Sequence, residues 1–241
     1  MEPQKQDAPK LTFVKGLRDG LPICLGYLSV SFTFGMMVVQ KGYPGWMAVL
    51  ISMTNLTSAG QFAGTELLMN GAMYLEIAVT TFVINIRYML MSLSLSQKVE
   101  SAMTLLQRMV LSFGITDEVF AVAMQQERDI NSRYFAGLIL TPYVGWAAGT
   151  LLGATATGFL PLSVRTALGI AIYGMFLAII IPPARKSRPI LLVVLLAAAM
   201  SCCFYWIPGL NQLSTGWVII ICAVAAAGFA AWKFPIKEES S

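Results

Sequence analysis

The sequence predicts an all-α polytopic membrane protein with about eight transmembrane helices, on three observations. Hydrophobic residues make up 57% of the chain and charged ones only 12%, against about a quarter charged in soluble domains; mean hydropathy is +0.71. Apolar runs near the roughly 20 residues needed to cross a bilayer recur along almost the whole chain. Lys and Arg then fall mostly on one side of the membrane when those runs are read as crossings.

Eight runs qualify: 20–40, 46–69, 72–96, 109–126, 134–158, 163–183, 189–208 and 212–233. The fourth is short and carries two acids, so seven spans is the alternative count. Residues 1–18 are polar and basic, show no cleavable signal pattern, and read as a cytoplasmic tail. With the N-terminus inside, Lys5, Lys10, Lys15, Arg18, Arg128, Arg133, Arg185, Lys186, Arg188, Lys233 and Lys237 face the cytoplasm. Lys41, Lys98, Arg108 and Arg165 face outward, and Arg87 stays within a span. The bias favours eight spans with both termini cytoplasmic. A seven-span chain would put Lys233 and Lys237 outside.

The 241 residues read as one integral membrane domain. Ala-Gly-Gln-Phe-Ala-Gly-Thr at 59–65 resembles Val-Gly-Trp-Ala-Ala-Gly-Thr at 144–150, and at the same offset Tyr88 aligns with Tyr173. Upstream, Asp19 corresponds to Asp117. Units of about 19–96 and 115–183 would each hold three spans, and an odd number inverts the second unit, as in many secondary transporters. A core at 19–185 with an inverted 3+3 repeat follows. The remaining hairpin, 189–233, has no charge before its last residue and reads as peripheral.

Ionisable groups inside this frame mark candidate function. Asp117 and Glu118 interrupt the apolar stretch Met109–Met124; an Asp at the centre of a membrane helix costs roughly 2.5–3.5 kcal/mol on insertion scales. Arg87 falls at a comparable depth in the third span, so a pairing with one acid is the cheapest arrangement. A static salt bridge is the plainer reading. Two acids facing one arginine nevertheless leave a surplus carboxylate, a candidate proton carrier. Asp19 and Glu66 are further candidates for proton coupling, although Glu66 also fits an interfacial position.

Polar residues of the second span, Asn55, Thr57, Ser58 and Gln61, need partners that lipid cannot supply. They serve either as helix–helix glue beside Gly60 and Gly64 or as a partly unwound segment that holds a substrate, together with Asn85 and Arg87. Gly145, Gly149 and Gly153 form a packing stripe after Pro142. Trp206, Trp217 and Trp232 near span ends suit interfacial anchors.

Several classes lack support. Histidine is absent, the four cysteines have no metal or CxxC spacing, and no Walker A, HExxH or GxSxG pattern occurs. No enzyme activity, cofactor, metal or nucleic-acid partner is expected. Passive conduction of small solutes and a scaffolding role without transport are the rival readings.

Gly16-Leu-Arg-Asp-Gly-Leu-Pro22, Ser58-Ala-Gly-Gln-Phe62, Asn85-Ile-Arg-Tyr88 with Met91-Ser92, and Gly114-Ile-Thr-Asp-Glu-Val-Phe-Ala121 resemble the AzlC family. These are large subunits of bacterial branched-chain amino acid exporters, and the likeness covers roughly 12–185. It implies export of Leu, Ile, Val and related apolar amino acids such as Met, with a small AzlD-type membrane subunit as partner. Members often carry Asp-x-Arg-His where this chain has Asn85-Ile-Arg-Tyr88, which removes an acid and an imidazole.

Overall fold

The computed structural model describes residues 11–234. Lys5, Lys10 and Lys237 of the charge count lie outside the described residues, as do the side chains of Arg165 and Tyr173. Ten α-helices follow in order: α1 (Phe13–Gln40), α2 (Gly45–Thr54), α3 (Ala59–Met69), α4 (Tyr74–Ser96), α5 (Leu105–Ser112), α6 (Asp117–Met124), α7 (Ser132–Ala156), α8 (Leu162–Lys186), α9 (Arg188–Trp206) and α10 (Thr215–Lys233). Among the described residues the only β pairing is an isolated bridge from Val99 to Ile130. Helices α1, α4, α7, α9 and α10 are long and apolar enough to cross a membrane. The molecule is an all-helical, polytopic membrane protein.

The runs expected as the second and fourth spans are not single helices. Each is broken in two, at 55–58 and at 113–116. At 1.5 Å per residue the ten residues of α2 rise about 15 Å, half of a hydrocarbon core of about 30 Å. Local chemistry accounts for both breaks. The Asn55 Oδ1 accepts from the Thr57 amide at 3.2 Å and the Thr57 hydroxyl at 2.7 Å, a side-chain turn that competes with helix. Ser58 follows in the left-handed region at φ 46°. At the second break, Thr116 is the N-cap of α6 and accepts from the Val119 amide. A new helix therefore begins where the sequence suggested a span continuing.

Two compact units divide the chain: Met1–Gln61 with Asn85–Gly169, and Phe62–Ile84 with Ile170–Ser241. In the first, α1 and α7 lie side by side in the same direction, with Gly16 against Tyr134 and Leu138 and Gly35 against Thr150 and Ala154. Contact is close enough for backbone to meet backbone. A Cβ on Gly153 would collide with the Phe32 carbonyl, and one on Gly149 with Ser31 and Leu28. The glycine stripe is thus the seam of this pair. Pro142 lies within α7, which continues through it.

Caps fix the ends of the same pair. Thr12 accepts from the Lys15 amide at 3.2 Å, and Asn131 accepts from the Tyr134 amide at 2.8 Å. Asn131 also donates to the Leu11 carbonyl at 2.8 Å, tying the two N-termini together. α2 runs against α7, from Gly45 beside Ala154 to Met53, whose carbonyl accepts from the Tyr143 hydroxyl at 3.1 Å. The break at 55–58 consequently sits near the midpoint of α7.

In the second unit, Glu76 is 4% exposed and accepts from the Ser214 hydroxyl at 2.5 Å and the Gly216 amide at 3.1 Å. It joins the first turn of α4 to the first turn of α10, where a carboxylate is favoured by the helix dipole. α9 and α10 pack as a hairpin, and α9 has no buried residue.

Candidate functional site

Two elements of the first unit bring charge to the break in the second apolar run. The Asp117 and Glu118 carboxylates occupy the first turn of α6 rather than the middle of a span. There the free amides of the helix start and the macrodipole stabilise an acid by roughly 0.3–1 kcal/mol each. Asp117 Oδ2 lies 2.6 Å from Arg87 Nη1 on α4. The two side chains are 43% and 40% exposed in the isolated chain, so the pair is reachable by a solute.

Arg87 also stacks on the Tyr88 ring, 4.9 Å from guanidinium carbon to centroid, and donates to the Tyr88 hydroxyl at 3.2 Å. That hydroxyl donates in turn to the Thr57 carbonyl at 3.3 Å, inside the unwound segment. The same carbonyl accepts from the Gly60 amide at 3.2 Å. Gly60 has no room for a side chain, because a Cβ would meet the Asn85 amide group and Thr57 Oγ1. Asn85 Oδ1 is buried there and accepts no hydrogen bond, an arrangement that costs about 1–3 kcal/mol.

Glu118 turns the other way. It accepts the Tyr27 hydroxyl of α1 at 2.5 Å. Tyr27 packs edge-on against Trp146, with centroids 5.1 Å apart at 73°. The Trp146 indole donates to Gln61 Oε1 at 3.0 Å, and the Gln61 amide donates to Ser52 at 2.8 Å. Ser52 shares a hydrogen bond with Thr150 at 2.7 Å. Gln61 is 1% exposed and bonded at both its carbonyl and its amide, so it braces the site from behind.

Of the residues singled out from sequence, Asn55, Thr57, Ser58, Asn85, Arg87 and Asp117 come together, with Glu118 one residue on. Asp19 lies roughly two turns before Tyr27 on α1, in a cluster of its own. It is 2.6 Å from Lys15 Nζ and accepts from the Tyr134 hydroxyl at 2.8 Å. Lys15 also donates to Gln126 at 3.0 Å. Glu66 is exposed on α3, in the second unit.

Sequence reasoning missed Tyr27, Trp146, Tyr134 and Glu76. It missed the Lys15–Asp19 pair too, although their four-residue spacing on one helix face was a usable signal. Tyr27 and Glu118 are distant in sequence, and nothing local couples a phenol on one helix to an acid on another. Among the described residues no group of histidine, cysteine or acidic side chains could hold a metal ion. The site can hold a charged or zwitterionic solute and can keep one acid apart from the arginine.

A family model described as AzlC protein matches residues 22–160. The chain is 28% identical to the inner membrane protein YgaZ of Escherichia coli strain K12, over 78% of this chain and 80% of that protein. It is 34% identical to an uncharacterized membrane protein of Archaeoglobus fulgidus, over 70% and 75% of the two chains. A membrane protein of Helicobacter pylori strain 26695 is 28% identical over 59% of this chain and 64% of its own. No solved structure matches.

Proposed function

We propose a transport function from one premise: the chain belongs to the AzlC family. It is a secondary transporter that exports Leu, Ile, Val and related apolar amino acids such as Met, coupled to the proton gradient. It acts as the large subunit of a two-component exporter with a small AzlD-type membrane partner. It resides in the inner membrane with both termini cytoplasmic. The family and the membrane character support the class; the site supports the mechanism.

One observation carries that mechanism: of two neighbouring acids, Asp117 is held by Arg87 and Glu118 by the uncharged Tyr27. Asp117 neutralises the arginine, which leaves Glu118 as the acid whose charge is not balanced. A proton on Glu118 makes the site neutral; its loss leaves one negative charge. An amino acid brings one charge of each sign. Its carboxylate suits Arg87 or the amides at the start of α3. Its ammonium suits the oxygens of Asn55, Thr57, Ser58 and Asn85, among them the unpaired Asn85 Oδ1. Proton release and ammonium binding then compete for the same negative charge, which is the coupling.

Efflux of radiolabelled Leu, Ile, Val and Met from cells with and without the gene tests the substrate class. Proteoliposomes holding the chain and its partner, with and without a pH gradient, test the coupling. Uphill movement driven by the gradient is expected, and Glu118→Gln should remove the drive while leaving downhill exchange. Flux that never exceeds the substrate gradient would indicate passive conduction instead.

A further inference from the structure

A second binding surface lies on the α9–α10 hairpin, and its chemistry is unlike that of the ion-paired site. Leu191, Leu192, Leu195 and Leu196 of α9 and Phe229 of α10 line a groove of about 480 Å³, closed at one end by Arg188. Lys233 lies over the Phe229 ring, 5.5 Å from its centroid, and borders the same end. Arg185 and Lys186 close the preceding helix. No acidic residue occurs between Asp129 and Glu238. The cations at this end have no carboxylate partner among the described residues.

We propose that this groove binds an anionic phospholipid of the surrounding bilayer, with its phosphate at Arg188 and an acyl chain along the leucines. The groove is apolar along its length and cationic at one end, which matches a lipid tail below a negative headgroup. A guanidinium takes a phosphate through two parallel hydrogen bonds. Basic pockets between membrane helices select anionic headgroups on this basis. α9 also begins at Arg188, whose own backbone amide lies in the first turn at the same end; Pro189 after it has none. A zwitterionic lipid offers the tail without the net charge and fits the groove less well.

The test uses the full-length chain in a non-ionic detergent, titrated with phosphatidylglycerol or phosphatidylcholine of identical acyl chains, with bound lipid counted by native mass spectrometry. Phosphatidylglycerol should bind about fivefold more tightly, the scale of one well-placed basic residue at a membrane surface. Arg188→Ala should erase the preference, Arg188→Lys should keep part of it, and Arg18→Ala, an exposed cation elsewhere, should leave it intact. Leu195→Trp fills the groove without touching a charge and should weaken both lipids, which keeps the test open if Arg188→Ala fails to fold. Equal binding of the two lipids, or an unchanged preference in Arg188→Ala, would overturn the proposal. So would a co-purifying protein that shields a Leu195→Cys variant from labelling where no lipid preference is seen; that result assigns the groove to a partner helix.

Discussion

The Arg87 guanidinium on α4 meets the Asp117 carboxylate at the first turn of α6, 2.6 Å away. The pair joins two elements that no covalent or local constraint brings together. Removing one partner leaves the other half-exposed charge without its counter-ion, whereas removing both leaves none. Asp117→Asn should therefore lower export by about tenfold or more, a rise of some 1.4 kcal/mol in the transport barrier. The double variant Arg87→Gln/Asp117→Asn should recover membrane abundance without recovering export. Immunoblots of membrane fractions and amino-acid efflux read the two effects separately. Full export in Asp117→Asn would remove the pair from the mechanism.

Tyr27 offers a narrower probe, because one substitution separates its hydroxyl from its ring. Tyr27→Phe keeps the edge-on contact with Trp146 but leaves Glu118 without its donor. A half-buried carboxylate deprived of its donor costs toward the low end of about 1–3 kcal/mol. Melting in detergent should fall modestly, and export driven by a pH gradient should weaken because Glu118 has lost the hydrogen bond that holds it in place. Tyr27→Ala removes the ring as well and should melt lower still. Unchanged gradient-driven export in a folded Tyr27→Phe protein would separate the Tyr27–Glu118 contact from the coupling.

Gln61 distinguishes support from contact. Its amide bridges the Trp146 indole and Ser52, and it is almost wholly buried. Gln61→Leu strands the Trp146 donor at a cost of roughly 1–3 kcal/mol. The melting temperature should drop while the apparent affinity for exported amino acid stays within about twofold, since a residue that touches no solute contributes no differential binding. A large affinity change at normal stability would move Gln61 into the binding site itself.

The helical class, the membrane character and the glycine seam were all legible in composition and spacing. The Asn55–Ser58 break was legible as one of two readings, because Asn, Thr and Ser compete with the helix through their own side chains. The end of α5 was less so. Gly114 and Thr116 supply a stop and an N-cap, but a window that averages hydropathy passes over them and merges two short helices into one span. The partner of Glu118 was out of reach. Tyr27 is an ordinary aromatic in an apolar run until α1 and α6 are placed together. The buried Glu76 escaped for the same reason: its donors, Ser214 and Gly216, belong to the far end of the chain.

The seam between α1 and α7 makes the sharpest demand on residue size. A Cβ on Gly153 has no space before the Phe32 backbone, while one on Gly158 meets nothing within 4 Å. Backbone cannot yield as a side-chain tip can, so α1 and α7 would have to separate along their shared length. Overpacking of this kind costs typically about 1–3 kcal/mol, and loss of the close approach removes contacts that association in lipid depends on. Gly153→Val should leave little folded protein in the membrane, and Gly153→Ala an intermediate amount. Gly158→Ala should match the parent chain in both abundance and melting. Fluorescence-detected size exclusion of tagged variants measures all three. Normal yield of Gly153→Val would mean that α1 and α7 do not pack through this stripe, and the site that Tyr27 and Trp146 build across them would lose its foundation.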